Sequence, residues 1–340
     1  MESTVILTEA GKNIGYGHVM RCVALQDHFI SNGIETKIFL NHFGDNHMNE
    51  LENIDLLDWL NKINDVENLA RAYDNAIVDS YLAQSSYYKF LKLFFDVVIA
   101  IDDYNRIVYP VDLVLNPNIY GDSLDYSRQH ARIVGGNKYV IIRNAIRKSR
   151  ENFKIRDRIE TVLIMLGGCD YRRLAPILIQ NFYDKGFNII FIAGSDNYRS
   201  EVSKQFSDLS GITFIGFANG IEIIELITKA DVVITAAGQT LNELAFMGVP
   251  SIAICIDKDQ FFNIKTYCEK GFLLSELYWD DTELCGNAMK LLEKMKDARL
   301  RRILSKRGKE LVDGSGVANI LKIIKEMENY EKNTCSCCTS

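Results

Sequence analysis

An α/β protein built as two parallel-sheet layers in tandem is the fold this sequence predicts, and three observations predict it. Short Val- and Ile-rich runs alternate with longer amphipathic runs, the rhythm of βαβ units. That rhythm breaks once, at the charged stretch Arg147-Lys148-Ser149-Arg150-Glu151-Asn152, and then restarts. The chain has 340 residues and 47% apolar composition, enough for two domains with their own cores.

In the first half the apolar runs predict strands over residues 5–8, 36–40, 76–79, 97–101, 113–116 and 140–143, with helices over 17–32 and 84–95 between them. The second half predicts strands over 161–166, 188–193, 212–215, 232–235 and 251–256. Helices are expected over 171–185, 200–209, 221–229, 240–247 and 259–270. Beyond Asp280 the pattern is helical only and ends over 316–330. The domains expected are an N-terminal one over 1–146, a linker over 147–158 and a second one over 159–312. A terminal helix over 313–332 and a disordered Cys tail over 333–340 complete the chain.

Charge and cysteine content narrow the class. A net charge of −6 argues against a chain-wide nucleic-acid footprint. No apolar run reaches the ~18 residues of a membrane span, so no membrane insertion is expected. No basic n-region precedes Val5-Ile6-Leu7, and Cys22, Cys169, Cys255, Cys268 and Cys285 sit in apolar surroundings as reduced thiols would. The expectation is a cytoplasmic protein, monomeric or weakly dimeric. Cys335, Cys337 and Cys338 lack a second Cys/His cluster and read as a frayed terminus.

Ligands of open parallel sheets bind beyond the carboxyl ends of the strands, so those positions carry the functional reading. The first strand leads into Asn13-Ile14-Gly15-Tyr16-Gly17-His18. Glycines permit close approach of backbone to a ligand, and a helix start offers free N–H groups. A histidine in that first turn is disfavoured as imidazolium by the helix dipole, which suits a proton acceptor; a capping or packing role suits the same spacing. Gly167-Gly168-Cys169-Asp170 forms a second Gly-rich strand-to-helix turn, fit for phosphate or ribose or simply for a tight connection.

Ala236-Ala237-Gly238-Gln239-Thr240 and Glu243 form a third such turn. Its N–H groups suit a diphosphate. Glu243 suits ribose hydroxyls, or else complements the dipole and closes a capping box with Thr240. Asp102-Asp103 reads as an acid pair for metal or acid–base work, or as a solvated turn or cap. Val78-Asp79-Ser80-Tyr81 reads as a polar strand exit or an Asx-type turn. No Walker A motif, metal-type His pair or complete dinucleotide fingerprint is present.

Taken in order, IGYGHVMRC, IVDSYL, AIDDY, DLVLNPNIY, GGNKYVIIR, IMLGGCD, AAGQTLNELAFMGVPSIAI and DGSGVANIL resemble the nucleotide-sugar hydrolase family of pseudaminic-acid biosynthesis. They also resemble its relative in spore-coat polysaccharide synthesis. The likeness runs from residue 1 to about 275. The AAGQTLNELAFMGVPSI stretch is similar, in addition, to the nucleotide-binding segment of the transferase that makes lipid II. The resemblance implies the GT-B architecture: two Rossmann-like domains facing a cleft, here with extra C-terminal helices.

The activity implied is metal-independent, inverting hydrolysis of a UDP-linked deoxyamino sugar, UDP-2,4-diacetamido-2,4,6-trideoxy-L-altrose, without cofactor. A glycosyltransferase using a UDP-sugar donor is the alternative. By this likeness His18 matches the general base, Tyr81 a tyrosine beside the sugar, and Asp259 the position that holds the water. Gly15, Tyr16, Gly17, Asn118, Gly167, Gly168, Asp170, Ala237, Gly238, Gln239, Thr240, Glu243 and Gln260 match the substrate-binding positions. The chain departs from the family pattern where Leu7 and Glu9 replace Arg-x-Asp, and where Asp259 replaces Asn.

Overall fold

A computed structural model of the chain describes residues 3–11, 17–43, 53–167 and 170–336. The chain divides into two compact units, Met1–Asn144 with Gly314–Ser340, and Ala145–Asp313.

The first unit holds a sheet of β1 (Ser3–Gly11), β2 (Glu35–Phe43), β3 (Ile54–Leu56), β4 (Asn75–Asp79), β5 (Val97–Ile101), β6 (Leu113–Asn116) and β7 (Arg132–Gly135). Its order is β3-β2-β1-β4-β5-β6-β7, and every pairing is parallel. Helices α1 (Gly17–Ser31), α2 (Ile63–Leu69) and α3 (Ser85–Leu91) connect the strands, and α4 (Asn144–Lys148) follows the last one. The alternation of side chains along each strand sorts the core. Ile6, Ile38, Ile77, Ile99 and Leu115 pack with Leu25 and Phe29 on one face. Val5, Leu7, Val78, Val98 and Val114 pack with Trp59 and Tyr88 on the other. Both faces are covered, as a parallel sheet requires.

The second unit holds β8 (Thr161–Met165), β9 (Asn188–Ile192), β10 (Ile212–Ile215), β11 (Val232–Ala236) and β12 (Ser251–Ile254), all parallel in the order β10-β9-β8-β11-β12. Its helices are α5 (Leu174–Phe182), α6 (Asp196–Gln205), α7 (Gly220–Lys229), α8 (Gln239–Met247), α9 (Phe261–Glu269), α10 (Leu284–Met295) and α11 (Ala298–Leu311). In each sheet the strand order reverses beside its first strand, between β1 and β4 and between β8 and β11, the position at which open parallel sheets in general bind their ligands.

The structure corrects several expectations. Residues 140–143 form no strand, although Val140, Ile141 and Ile142 are buried. The final helix α12 (Gly316–Ser336) claims that segment, packing Val317, Ile320, Leu321 and Ile324 onto the first unit's core with Ile141. The last strand is instead the short edge segment Arg132–Gly135, whose mixed polarity concealed it. The terminal helix thus belongs to the first unit, and residues 333–336 of the expected disordered tail continue it, while 337–340 lie outside the described residues.

The segment over 147–158 is no free linker: it carries the end of α4 and a 3-10 turn at Arg150–Asn152, and it belongs to the second unit. Helix α5 begins at Leu174 rather than 171, because Asp170 accepts from the Leu174 and Ala175 amides at 3.0 and 2.7 Å and fixes the start there.

Candidate active site

Four adjacent strands of the first unit deliver polar side chains to their carboxyl ends. Glu9 comes from β1, Asp79 from the last position of β4, Asp102 and Asp103 from just beyond β5, and Asn116 and Asn118 from the end of β6. Helix α1 adds His18 and Arg21, three residues apart and therefore on one helix face. Both are buried.

His18 Nδ1 is hydrogen-bonded to Asp79 Oδ1. A carboxylate on Nδ1 places a proton there, so that in the neutral ring the lone pair able to accept a proton is on Nε2. Arg21 lies between two acids: its Nε and Nη2 donate to Asp79 at 2.5 and 2.6 Å, and its Nη1 and Nη2 donate to Asp103 at 2.7 and 3.0 Å. Burial alone would push both carboxyls up; the Arg21 guanidinium more than offsets this and holds each below the usual aspartate range. Burial alone would likewise lower Arg21, and the flanking Asp103 and Asp79 raise it instead. Two carboxylates and one cation leave the cluster anionic, and this is the field in which His18 sits.

Tyr81 stands edge-on to the His18 ring, centroids 4.3 Å apart, and its hydroxyl donates to Asp103 Oδ2 at 2.7 Å. Asn118 Nδ2 donates to Asp103 Oδ1 at 2.7 Å. The loop carrying Tyr81 is tied down by Glu9, which accepts from Ser80 Oγ and the Tyr81 amide, both at 2.6 Å. Burial pushes the Glu9 carboxyl up, against these hydrogen bonds that favour its charged form. Asp102 accepts from the Tyr109 and Tyr126 hydroxyls, each at 2.7 Å, and from the Asn105 and Arg106 amides. The acid pair of the sequence is therefore an anchor (Asp102) and an ion-pair partner (Asp103). Among the described residues no three His, Cys, Asp or Glu side chains converge as a metal ligand set.

In the second unit α8 starts at Gln239 with Gly238 as its N-cap and no side chain capping it. The expected capping box of Thr240 and Glu243 is absent, since the helix starts earlier; the box that does form is Asn219 with Glu222, on α7. No acid occupies the first turn of α8, so its amide end favours an anion. Gln260 Oε1 accepts from the Ala237 and Ile256 amides at 3.2 and 3.1 Å, and Asn263 Nδ2 donates to Ala237 O at 2.8 Å. These bonds pin the β11–α8 turn to the segment after β12. Thr240 and Gln239 are half-buried there, and Glu243 is buried within α8 at 1% exposure. Asp259 lies exposed on the 3-10 turn Lys258–Gln260. Gly167 follows β8 at φ +86°, with open space where a side chain would stand. The Asp170 carboxylate is occupied by the α5 amides and the Tyr198 hydroxyl at 2.8 Å.

Of the residues singled out from sequence, His18, Tyr81 and Asn118 converge on one network, and Ala237, Gly238 and Gln260 on a second. Gly17 opens α1 beside His18, while Gly15, Tyr16 and Gly168 lie outside the described residues. Arg21 was overlooked; a cation three residues after the histidine on an otherwise apolar helix face was the signal for it. Asp79, read as a strand exit, is the partner of the histidine.

Over 233 residues the chain is 29% identical to the spore coat polysaccharide biosynthesis protein SpsG of Bacillus subtilis (strain 168), covering 65% of this chain and 66% of that one, just under two thirds of its length. Among solved structures, MurG of Acinetobacter baumannii superposes with a TM-score of 0.66 at 14% identity, over 95% of this chain and 99% of that one. The S. aureus MnaA–UDP co-structure gives 0.66 at 14% identity, over 97% of each. At such identities these two structures establish the fold alone, and it is the GT-B fold of two parallel-sheet units. Residues 133–309 match the glycosyltransferase family 28 C-terminal domain, and by this match over more than half its length the chain belongs to that family.

Proposed function

We propose that this chain is an enzyme acting on a UDP-sugar in polysaccharide biosynthesis, and that its reaction is hydrolysis. The observation that carries the reading is the His18–Asp79 pair inside the Arg21–Asp103–Tyr81 network. His18 Nε2 takes a proton from water as the water oxygen bonds to the anomeric carbon. The bond from that carbon to the diphosphate oxygen breaks, UDP leaves, and the configuration inverts. Asp79 holds the ring in the productive tautomer and stabilises the imidazolium as it forms. Tyr81 and Asn118, both fixed by Asp103, orient the sugar, and Asp259 accepts from the attacking water. The amide end of α8 at Gly238–Thr240 takes the diphosphate, whose charge grows as the bond breaks. Glu243 takes the ribose; Gly167 and Asp170 shape the nucleotide side in the second unit, and Gly17 lets the first unit's backbone approach the sugar. The sugar is a 2,4-diacetamido-2,4,6-trideoxy hexose or a close relative.

The family match favours a second reading, in which an acceptor hydroxyl replaces water. Incubation with a panel of UDP-deoxyamino sugars, with chelator and without acceptor, separates the two. Stoichiometric UDP and free sugar of inverted configuration by NMR support hydrolysis. UDP-sugar binding with release only on addition of an alcohol acceptor supports transfer.

A further inference from the structure

The segment 147–158 and helix α11 have no part in the chemistry above, yet they concentrate cations in a chain of net charge −6. Six of the twelve residues over 147–158 are Arg or Lys, and two are acidic. Six of the fourteen residues of α11 are Arg or Lys, against the single acid Glu310. The two runs lie side by side in the second unit. Arg150 Nη2 donates to Lys309 O at 2.8 Å near one end, and Arg301 Nη2 donates to Asp157 O at 3.0 Å near the other.

The arrangement breaks local rules that folding alone would keep. Arg299 and Arg302, and Arg302 and Lys306, stand at i,i+3 and i,i+4 on α11, where like charges repel by about 0.2–0.5 kcal/mol a pair. Arg299 also sits in the first turn, against the helix dipole; the Asp297 carboxylate caps the helix there by accepting from the Arg299 amide at 2.8 Å. Arg302 pairs with Asp157, and Lys306 reaches Glu310 only at 3.7 Å. Lys148, Lys154, Arg158 and Arg299 have no ion-pair partner among the described residues. Asp157, Asp231 and Glu310 offset part of this charge, and the remaining cations are an excess that the fold itself does not use, as on a surface kept for a partner. The outer face of α11 carries Arg299, Arg302, Ile303, Lys306 and Arg307, all exposed, and Ile303 is 57% exposed among them. The inner face, Leu304, Ser305 and Gly308, packs against the body of the unit.

We propose that this face docks the protein peripherally on an anionic phospholipid surface. Charge complementarity selects an anionic partner. The apolar side chain standing among the cations selects a bilayer over a nucleic acid: it gives the interfacial region something to bury, and the face offers no exposed aromatic ring on which a base would stack. A UDP-sugar enzyme serving surface polysaccharide would work beside such a surface, but the inference rests on α11 and 147–158 and stands whichever reaction the active site performs.

The test is co-sedimentation of the full chain with vesicles of phosphatidylcholine alone and of phosphatidylcholine with 30% phosphatidylglycerol, at low and high salt. The proposal expects binding to the anionic vesicles only, weakened at least tenfold by the combined Arg158→Glu, Arg299→Glu and Lys306→Glu changes. Ile303→Ser alone should weaken it severalfold. Circular dichroism and UDP affinity equal to the parent chain show that these variants are folded. Absence of binding to anionic vesicles overturns the proposal. So does a single-stranded RNA that binds as tightly as the vesicles, displaces them and is indifferent to Ile303→Ser.

Discussion

At the scale of single residues the proposed chemistry turns on which nitrogen of His18 carries the proton. Asp79→Asn keeps the shape but can present its amide N–H to Nδ1, which puts the proton on the wrong nitrogen. It should cost roughly 10²–10⁴ in kcat with UDP affinity within about twofold of the parent. Arg21→Met leaves Asp79 and Asp103 buried without their cation, and a loss of about 3–5 kcal/mol in urea unfolding is expected. The pH dependence follows from the signs. Asp79 and Asp103 have folded values below their unfolded ones, so their contribution is complete above the unfolded value of about 3.9 and is lost as pH falls through the folded value. Glu9 is raised, so its contribution is complete at low pH and is lost as pH rises through its folded value. Urea midpoints measured against pH should therefore drop on the acid side, less so in Asp103→Asn. Glu9→Gln, which can still accept from the Tyr81 amide, should flatten the dependence above pH 4.

At the scale of elements the sheets were legible from sequence because their strands are continuous apolar runs; residues 97–101, 113–116 and 212–215 are strands as expected. What was not legible depends on partners distant in the chain. Val140–Ile142 is as apolar as a strand, but its partner is a helix nearly 180 residues later. Gly316 makes that contact possible: a Cβ there would stand 2.1 Å from the Val140 carbonyl oxygen. Gly316→Ala should lower the melting temperature of the first unit, with a cost of at least about 1–3 kcal/mol because backbone must move. In the second unit Gln260 serves two amides of different segments, a role its position after a strand does not announce. Gln260→Ala should loosen the β11–α8 turn and weaken UDP binding about tenfold by titration calorimetry, with little change in global stability.

At the scale of the whole molecule two similar sheets divide the work proposed above, base and sugar contacts on the first and nucleotide on the second. The motifs at the strand ends were readable because parallel sheets put ligands there whatever the loop sequence. The ion-pair network was not, because Arg21, Asp79 and Asp103 are dispersed in the chain and converge only when β1, β4 and β5 are neighbours. The terminal helix shows the same dependence. Val317, Ile320, Leu321 and Ile324 are buried, each worth about 1.5–3 kcal/mol, against a typical domain stability of 5–15 kcal/mol. Removal of residues 316–340 should therefore unfold the first unit and spare the second, as limited proteolysis with mass spectrometry would show. The proposed reaction has His18 activate water while the second unit holds the nucleotide. Its most direct test is single-turnover hydrolysis of a UDP-deoxyamino sugar by the parent chain and by His18→Gln, with UDP affinity measured on the same samples. A rate at least about 10²-fold lower in His18→Gln at unchanged UDP affinity is expected; hydrolysis within a few-fold of the parent chain would show that His18 is not the base.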